Sequence, residues 1–550
     1  MLNIFCKNTK TYKSFLEGTT LLEMLSEFSF DSPYPVVSAK VNNVSQGLKY
    51  RVFNNRDVEF LDVRDASGMR VYTRSLSFLL CKAATEVLPD CRIFIEHPLS
   101  NGYYCNLVKP DGSAVADEDI EKIKGRMQEL VDKDLPFRRH DVRAEEAIQL
   151  FRELGKTDKV KLLETSHQLY QSYYTLGGTP DYYYGCLVPS TGFLKVWDIM
   201  KCYDGILLRC PDSRNPEVVS PYVEQPKTFS MFAENLKWNL IMDLDNVGEL
   251  NLACSRGQGS DLIQIAEALQ SKKTVQIAEE IYRRHYLPDS VKVVLITGPS
   301  ASGKTTFCKN LSIQLKACGI KPVSISTDDY FVNRVDTPKL PDGNYDFDNF
   351  DTIDHDALQK DVLRLLAGEQ IQVPEYNFVT GIREYNGKTL SLGKGTVLLI
   401  EGLHALNPKL TNLIPEASKF RIFISTLTSI SLDHHNAIPT SDNRLLRRII
   451  RDHNKGAFTA QQTISQWPNV CEAEGKWIYP YQEQADVMFN SAYLVEFAVL
   501  RDYAEPILRS VPKDCPEYAE AHRLLHFLSY FISVPGKEIP KTSLMRAFIS

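Results

Sequence analysis

Apolar and polar positions along the chain change their period several times, and each change marks an element. Leu2–Phe5 and Tyr12–Phe15 carry strand patterns, and Gly18-Thr19-Thr20 supplies a turn and a hydroxyl cap for a helix over Leu21–Phe28. Val36–Val41, Tyr50–Phe53 and Val58–Leu61 follow as short strands, so residues 1–63 predict a small β-grasp unit. From 64 to 225 helical spacing at Leu76–Val87, Asp117–Lys133, Glu145–Leu154 and around Lys159–Glu164 mixes with a strand at Ile93–Ile95. The run Asp181-Tyr-Tyr-Tyr-Gly185 is expected in a core or interface, because aromatic rings are large hydrophobic groups first. Residues 226–286 predict a helical connector, with Asp261–His285 amphipathic. In residues 287–550 the segments Val291–Thr297, Pro322–Ser326 and Thr396–Ile400 read as β-branched strands, and Thr306–Lys316 as a helix. No internal repeat or low-complexity segment interrupts this order. The expectation is an α/β multidomain protein with divisions at 1–63, 64–225, 226–286 and 287–550.

Composition narrows the classes. Apolar residues make up 43% and charged residues 24%, which excludes a disordered or fibrous chain. Sixty-three basic against 69 acidic residues leave a net charge of −6, which argues against a surface that grips nucleic acid everywhere. Twelve cysteines form no C-x-x-C pair, so they read as thiols of a reducing compartment. The segment MLNIFCKNTK lacks a basic region leading into a long apolar stretch, and runs such as Val397–Ile400 are too short to span a bilayer. A cytoplasmic protein without a membrane partner is expected.

The chemistry lies in the second half. Val291–Thr297 runs into Gly298-Pro299-Ser300-Ala301-Ser302-Gly303-Lys304-Thr305 and then Thr306, which is G-x-x-x-x-G-K-[ST] between a strand and a helix. Such a loop turns backbone N–H groups toward phosphate oxygens, with Lys304 for the β- and γ-phosphates and the Thr305 hydroxyl for Mg²⁺. ATP and Mg²⁺ are therefore the expected nucleotide and metal. The second strand ends in Asp328-Asp329, where one carboxylate suits the proton of an attacking hydroxyl and the other suits holding the loop. The third ends in Glu401, placed for Mg²⁺ or its water shell. Arg444, Arg448 and Arg451 fall on one helical face, a stripe suited to a lid over transferring phosphate.

These pieces carry a resemblance. From about 291 to 495, GPSASGKTT, STDDYF, YDFDNFDTID, VPEYNFVTGIR, LLIEGLHAL and RLLRRIIRD resemble the uridine kinase branch of the P-loop kinases, which is related to phosphoribulokinase. The resemblance implies Asp328 as base toward a nucleoside 5′-hydroxyl, Asp348 at the ribose hydroxyls, Tyr376 and Phe378 flanking the base, and Glu401 at Mg²⁺. Lys304, Arg448 and Arg451 then act on the phosphoryl group. The chain departs from the family at Gly381, where a base-reading histidine is usual, and at the lid, where Asp452–Phe458 with Lys455 stands in place of the usual Arg-Gly-Arg type loop. Gln466, just after the lid, is the candidate for the missing base contact, and looser discrimination among nucleosides is expected.

Residues 1–63 also look like a TGS domain, and 64–225 like the editing-type domain of threonyl-tRNA synthetases. The carrying segments are Ile95–Tyr104, Leu154–Glu164 and Val188–Gly192. Where such domains hold an H-x-x-x-H and a C-x-x-x-H pair, this chain has Arg74, Phe78, Tyr183 and Leu187, so scaffold rather than editing chemistry is implied. His97, nearby, reads as structural. The resemblances together imply an ATP-dependent nucleoside kinase, a homo-oligomer, with RNA or tRNA contact conceivable through the N-terminal half. The alternatives are a P-loop kinase of a sugar phosphate or pantothenate-like acceptor, and an ATP-switched tRNA-binding regulator.

Overall fold

The computed structural model describes every residue except Asp31, Asp289 and Asp342. Its first sheet runs Thr11–Phe15, Leu2–Cys6, Arg56–Leu61, Ser38–Val41, Val44–Gly47, with Leu2–Cys6 parallel to Arg56–Leu61. The helix Leu21–Glu27 starts in a capping box: Glu23 N donates to Thr20 Oγ1 at 3.3 Å and Thr20 N to Glu23 Oε2 at 2.7 Å. One expected strand is not formed. Tyr50–Phe53 is irregular, and the sheet pairs Val44–Gly47 with Ser38–Val41 instead. The Asn42-Asn43 turn, with φ of +46° and +59°, fixes that hairpin.

The next region carries a four-stranded sheet, Asp198–Cys202, Gly205–Arg209, Gly102–Val108, Arg92–Leu99, and a three-stranded one, Thr179–Asp181, Tyr170–Leu176, Phe137–Arg143. Its long helix spans Ala66–Val87 and begins well before Leu76, because the Asp65 side chain accepts from Ser67 N at 2.7 Å and caps it. Phe78, Tyr183 and Leu187 are buried in one hydrophobic core, with the rings of Phe78 and Tyr183 5.2 Å apart. Arg74 Nη1 donates to Cys186 O at 2.7 Å. His97 is buried and stacked on Phe232 with centroids 3.6 Å apart, and burial holds its ring neutral, down to about 3. Among the described residues no group of three His, Cys, Asp or Glu side chains is set to hold a metal. With Arg74, Phe78, Tyr183 and Leu187 at the four ligand positions, the purified protein is expected to carry no stoichiometric zinc and to leave mischarged tRNA intact. Elemental analysis and a deacylation assay check both.

Three helices, Pro226–Ile241, Val247–Ser255 and Gly259–His285, lead to a five-stranded parallel sheet. Its order is Lys321–Ser326, Thr396–Glu401, Val293–Thr297, Lys419–Ser425, Val487–Asn490. Val293–Thr297 and Thr396–Glu401 are buried throughout, as the inner strands of a sheet covered on both faces must be. All five strands end on one edge, which gathers Gly298, Thr327 and Gly402 into neighbouring turns.

The two halves share a buried apolar core and meet through polar contacts as well. Lys159 Nζ, fully buried, lies 3.0 Å from Asp181 and 3.1 Å from Asp433, and His435 Nδ1 sits 2.6 Å from Asp181 Oδ2. The Tyr182 and Tyr530 hydroxyls are 2.6 Å apart, so the tyrosine run does pack at an internal interface. No described helix is long and apolar enough to cross a membrane.

Candidate active site

The strand Val293–Thr297 delivers the chain into the loop Gly298–Thr305, and the helix Lys304–Ala317 leaves it. Gly298 is required by space: a Cβ there would lie 2.3 Å from Ile424 O. Ala301 and Gly303 take φ of +59° and +89°, which curls the loop back on itself. Lys304 Nζ donates to Gly298 O at 2.8 Å and Pro299 O at 3.1 Å, so its charge is met by its own loop. Burial pushes this ammonium below its ordinary range, while Glu401 and Asp328 oppose the shift. Ser302 Oγ is buried without a hydrogen-bond partner. A curled loop with a lysine lacking an anionic partner and an orphaned hydroxyl fits a polyphosphate. Thr305 Oγ1 donates to Glu401 Oε1 at 3.1 Å, bringing one hydroxyl and one carboxylate together beside the loop, and Thr306 continues the first helical turn. That pair fits Mg²⁺, which takes few protein ligands when phosphates supply the others.

The acidic groups share the same edge. Glu401 is opposite Ser326 in register, two residues before Asp328. Burial raises Asp328 to about 6, with Glu401, Asp329 and Asp348 adding and Lys304 opposing. Asp348 is likewise raised to about 6, first by burial and then by Glu474 and Asp346, against Arg448 and Lys304. Burial also raises Asp329. Two carboxyls poised near neutrality beside a phosphate loop are suited to exchanging a proton with a bound hydroxyl. His404, buried between Phe350 and the Asp348 backbone, is pushed down to about 4 by burial and stays neutral.

An aromatic group stands next to these acids. Tyr376 and Phe378, on the hairpin Glu375–Asn377/Ile382–Glu384, have centroids 5.0 Å apart, and Phe331 lies 5.4 Å from Tyr376. Tyr376 is buried with an unpartnered hydroxyl, whereas Phe378 is 59% exposed. Gly381 does not leave the gap its residue type suggested. Its φ is +73°, and a Cβ would meet Arg334 Cβ at 2.7 Å. The Arg334 guanidinium caps this turn at the carbonyls of Phe378 and Val379. Gly381→His is therefore expected to cost on the order of 1–3 kcal/mol through left-handed strain and overpacking, seen as a lower urea midpoint. Gln466 lies half-buried on the helix Ala460–Trp477, and its side chain makes no hydrogen bond to any described residue.

The arginine stripe divides. Arg448 Nη1 donates to Ser300 Oγ at 3.1 Å, and Arg451 pairs with Asp452 at 2.8 Å while remaining partly exposed. Arg444 does not join them at the open site: it is buried against Glu474 at 2.6 Å, with its guanidinium 5.0 Å over the Trp467 ring. The expected lid stripe thus reduces to two residues, because the helix Thr440–Asn454 turns Arg444 and Arg447 into the core. Arg447 pairs with buried Glu496 and donates to Ala301 O at 3.3 Å, while Ser491 Oγ donates to Ser302 O at 2.7 Å. Glu474, Glu496 and Ser491 were not singled out in the sequence. The signal for Glu474 was an acid at helical spacing from Thr463, Trp467 and Val470, all of them buried.

Residues 293–497 match the Phosphoribulokinase / Uridine kinase family, and the C-terminal region is a P-loop kinase domain of that family. The N-terminal half resembles threonyl-tRNA synthetase. A threonine–tRNA ligase of Azobacteroides pseudotrichonymphae is 28% identical over 195 residues, 36% of this chain and 30% of the relative. One from Burkholderia lata is 38% identical over 139 residues, 25% of this chain and 22% of the relative. The chain thus spans at most about a third of the length of these curated relatives. Among solved structures, a possible uridine kinase from Bacillus stearothermophilus aligns at a TM-score of 0.29 and 20% identity, covering 40% of this chain and 98% of that one.

Proposed function

We propose that the protein is an ATP-dependent nucleoside kinase that moves the γ-phosphate of ATP to a nucleoside 5′-hydroxyl. The observation that carries this reading is the convergence of Asp328, Asp348 and the Tyr376/Phe378 pair beside the loop Gly298–Thr305. Asp328 accepts the proton of the 5′-hydroxyl, Asp348 receives the ribose hydroxyls, and the two rings flank a flat base. Lys304 and the backbone of Gly298–Thr306, with the exception of Ser300 N–H, would hold the phosphates, while Thr305 and Glu401 would hold Mg²⁺, which would offset phosphate charge. Arg448 and Arg451 stand over the loop to balance charge on the moving group. With Gln466 free of partners and Arg334 filling the turn at Gly381, stacking dominates base recognition, and discrimination among bases is shallow.

Incubation with Mg·ATP and uridine, cytidine, inosine or adenosine tests this, with monophosphates separated by chromatography. More than one nucleoside is expected to react, and their kcat/KM values should differ by well under the ~10⁴ that hydrogen-bonded readout can achieve. Reaction with none of the four would transfer the reading to a sugar-phosphate or pantothenate-like acceptor.

A second activity attaches to the N-terminal half. Its likeness to threonine–tRNA ligases supports tRNA contact by residues 1–225, which we take as a TGS-like unit to 63 and an editing-like unit to 225, followed by the connector 226–286. Salt-dependent tRNA binding by the full chain checks it.

A further inference from the structure

A carboxylate against a phosphate-binding loop is electrostatically unexpected, since both it and the ligand are anions. Glu474 is nonetheless there, 1% exposed, on the helix that follows the arginine segment. Its Oε1 accepts from Ser300 N at 2.7 Å, and its two oxygens lie 2.6 and 2.7 Å from Arg444 Nη1. The same Arg444 nitrogen reaches Ser300 O at 3.4 Å, and Arg448 Nη1 reaches Ser300 Oγ at 3.1 Å. Every polar atom of Ser300 is therefore engaged from outside the loop. Its N–H, spent on Glu474, is not offered to phosphate.

We propose that Glu474, anchored by Arg444, is a positioning residue that fixes the Ser300 peptide, so that Ala301–Thr305 curl into their phosphate-receiving shape with Arg448 above them. The inference rests on reading Gly298–Thr305 as the nucleotide site and adds to it the residue that shapes the loop. Stability alone is a weak reason for this pair: buried ion pairs exchanged for apolar groups of similar volume are often neutral or stabilising. Arg444 is held on its other side by the Trp467 ring, so the carboxylate cannot swing away without leaving a buried guanidinium unpaired. Ser300 then acts as a fixed pivot between the loop and the arginine helix.

The test is calorimetric titration of full-length proteins with Mg·ADP, alongside urea unfolding. Glu474→Gln keeps an oxygen for Ser300 N–H and is expected to bind within about threefold of the unsubstituted protein. Glu474→Met with Arg444→Met replaces the pair by apolar groups and removes the acceptor. Its unfolding midpoint should stay near that of the unsubstituted protein while affinity falls about 10- to 100-fold, the worth of a hydrogen bond to a charged group. Glu474→Ala is read alongside, so that the contrast with Glu474→Gln stands even if the double variant does not fold. The proposal is overturned if the folded double variant, or Glu474→Ala, binds as well as Glu474→Gln. It is also overturned if Glu474→Gln loses as much as they do, since charge rather than loop geometry would then be at work. Failure of the unsubstituted protein to bind Mg·ADP would overturn the nucleotide-site reading first, and this inference with it.

Discussion

Lys304→Ala is expected to abolish turnover and to weaken nucleotide binding by about 100-fold or more, because each charge-assisted bond to phosphate is worth a factor of ten or greater. The fold should survive. Among the described residues Lys304 Nζ bonds to Gly298 O and Pro299 O alone, and neither bond ties distant elements together. Burial already holds the ammonium below its ordinary range, and a bound polyphosphate opposes that shift. Calorimetric titration with Mg·ADP measures the loss of affinity in Lys304→Ala. An unchanged affinity in the variant would remove Lys304 from the phosphate site.

Asp328→Asn is the second large effect. Nucleotide affinity should change little, while kcat falls by roughly 10²–10⁴, the usual worth of a positioned acid or base. The pH profile adds a signature. A base must be ionised to accept a proton, and burial lifts Asp328 to about 6. The kcat/KM of the unsubstituted protein, which reports the free enzyme, should therefore fall as pH drops through about 6 and level off above it. Asp348 is raised to the same range, so that limb belongs to the pair rather than to one carboxyl. Asparagine at 328 should flatten its part of the limb. Wild-type kcat in Asp328→Asn would pass the role to Asp329.

The sequence announced the phosphate loop fully, because close backbone approach at Gly298 and positive φ at Gly303 leave glycine little competition. The strand ending in Glu401 was also legible, since a buried parallel strand is a continuous apolar run and its polar terminus stands out. Side-chain destinations were less so. Arg444, Arg448 and Arg451 share one helical face, yet only packing against Glu474 and Trp467 decides that Arg444 points inward. Gly381 looked like a missing contact, and only the fold reveals Arg334 folded over that turn. Tyr50–Phe53 had strand-like residues, but the Asn42-Asn43 turn had already committed the neighbouring edge to Val44–Gly47. Long-range ion pairs such as Lys159 with Asp433 leave no local pattern at all. Periodicity reports which face is buried, not what it is buried against.

Phosphoryl transfer to a nucleoside 5′-oxygen is the reaction we propose. Incubation with γ-labelled Mg·ATP and either uridine or 5′-deoxyuridine, with the products located by chromatography, tests it most directly. Label is expected in uridine 5′-monophosphate, none in the 5′-deoxy analogue, and none with Lys304→Ala. Label appearing in 5′-deoxyuridine, or only as inorganic phosphate with every nucleoside supplied, would contradict it.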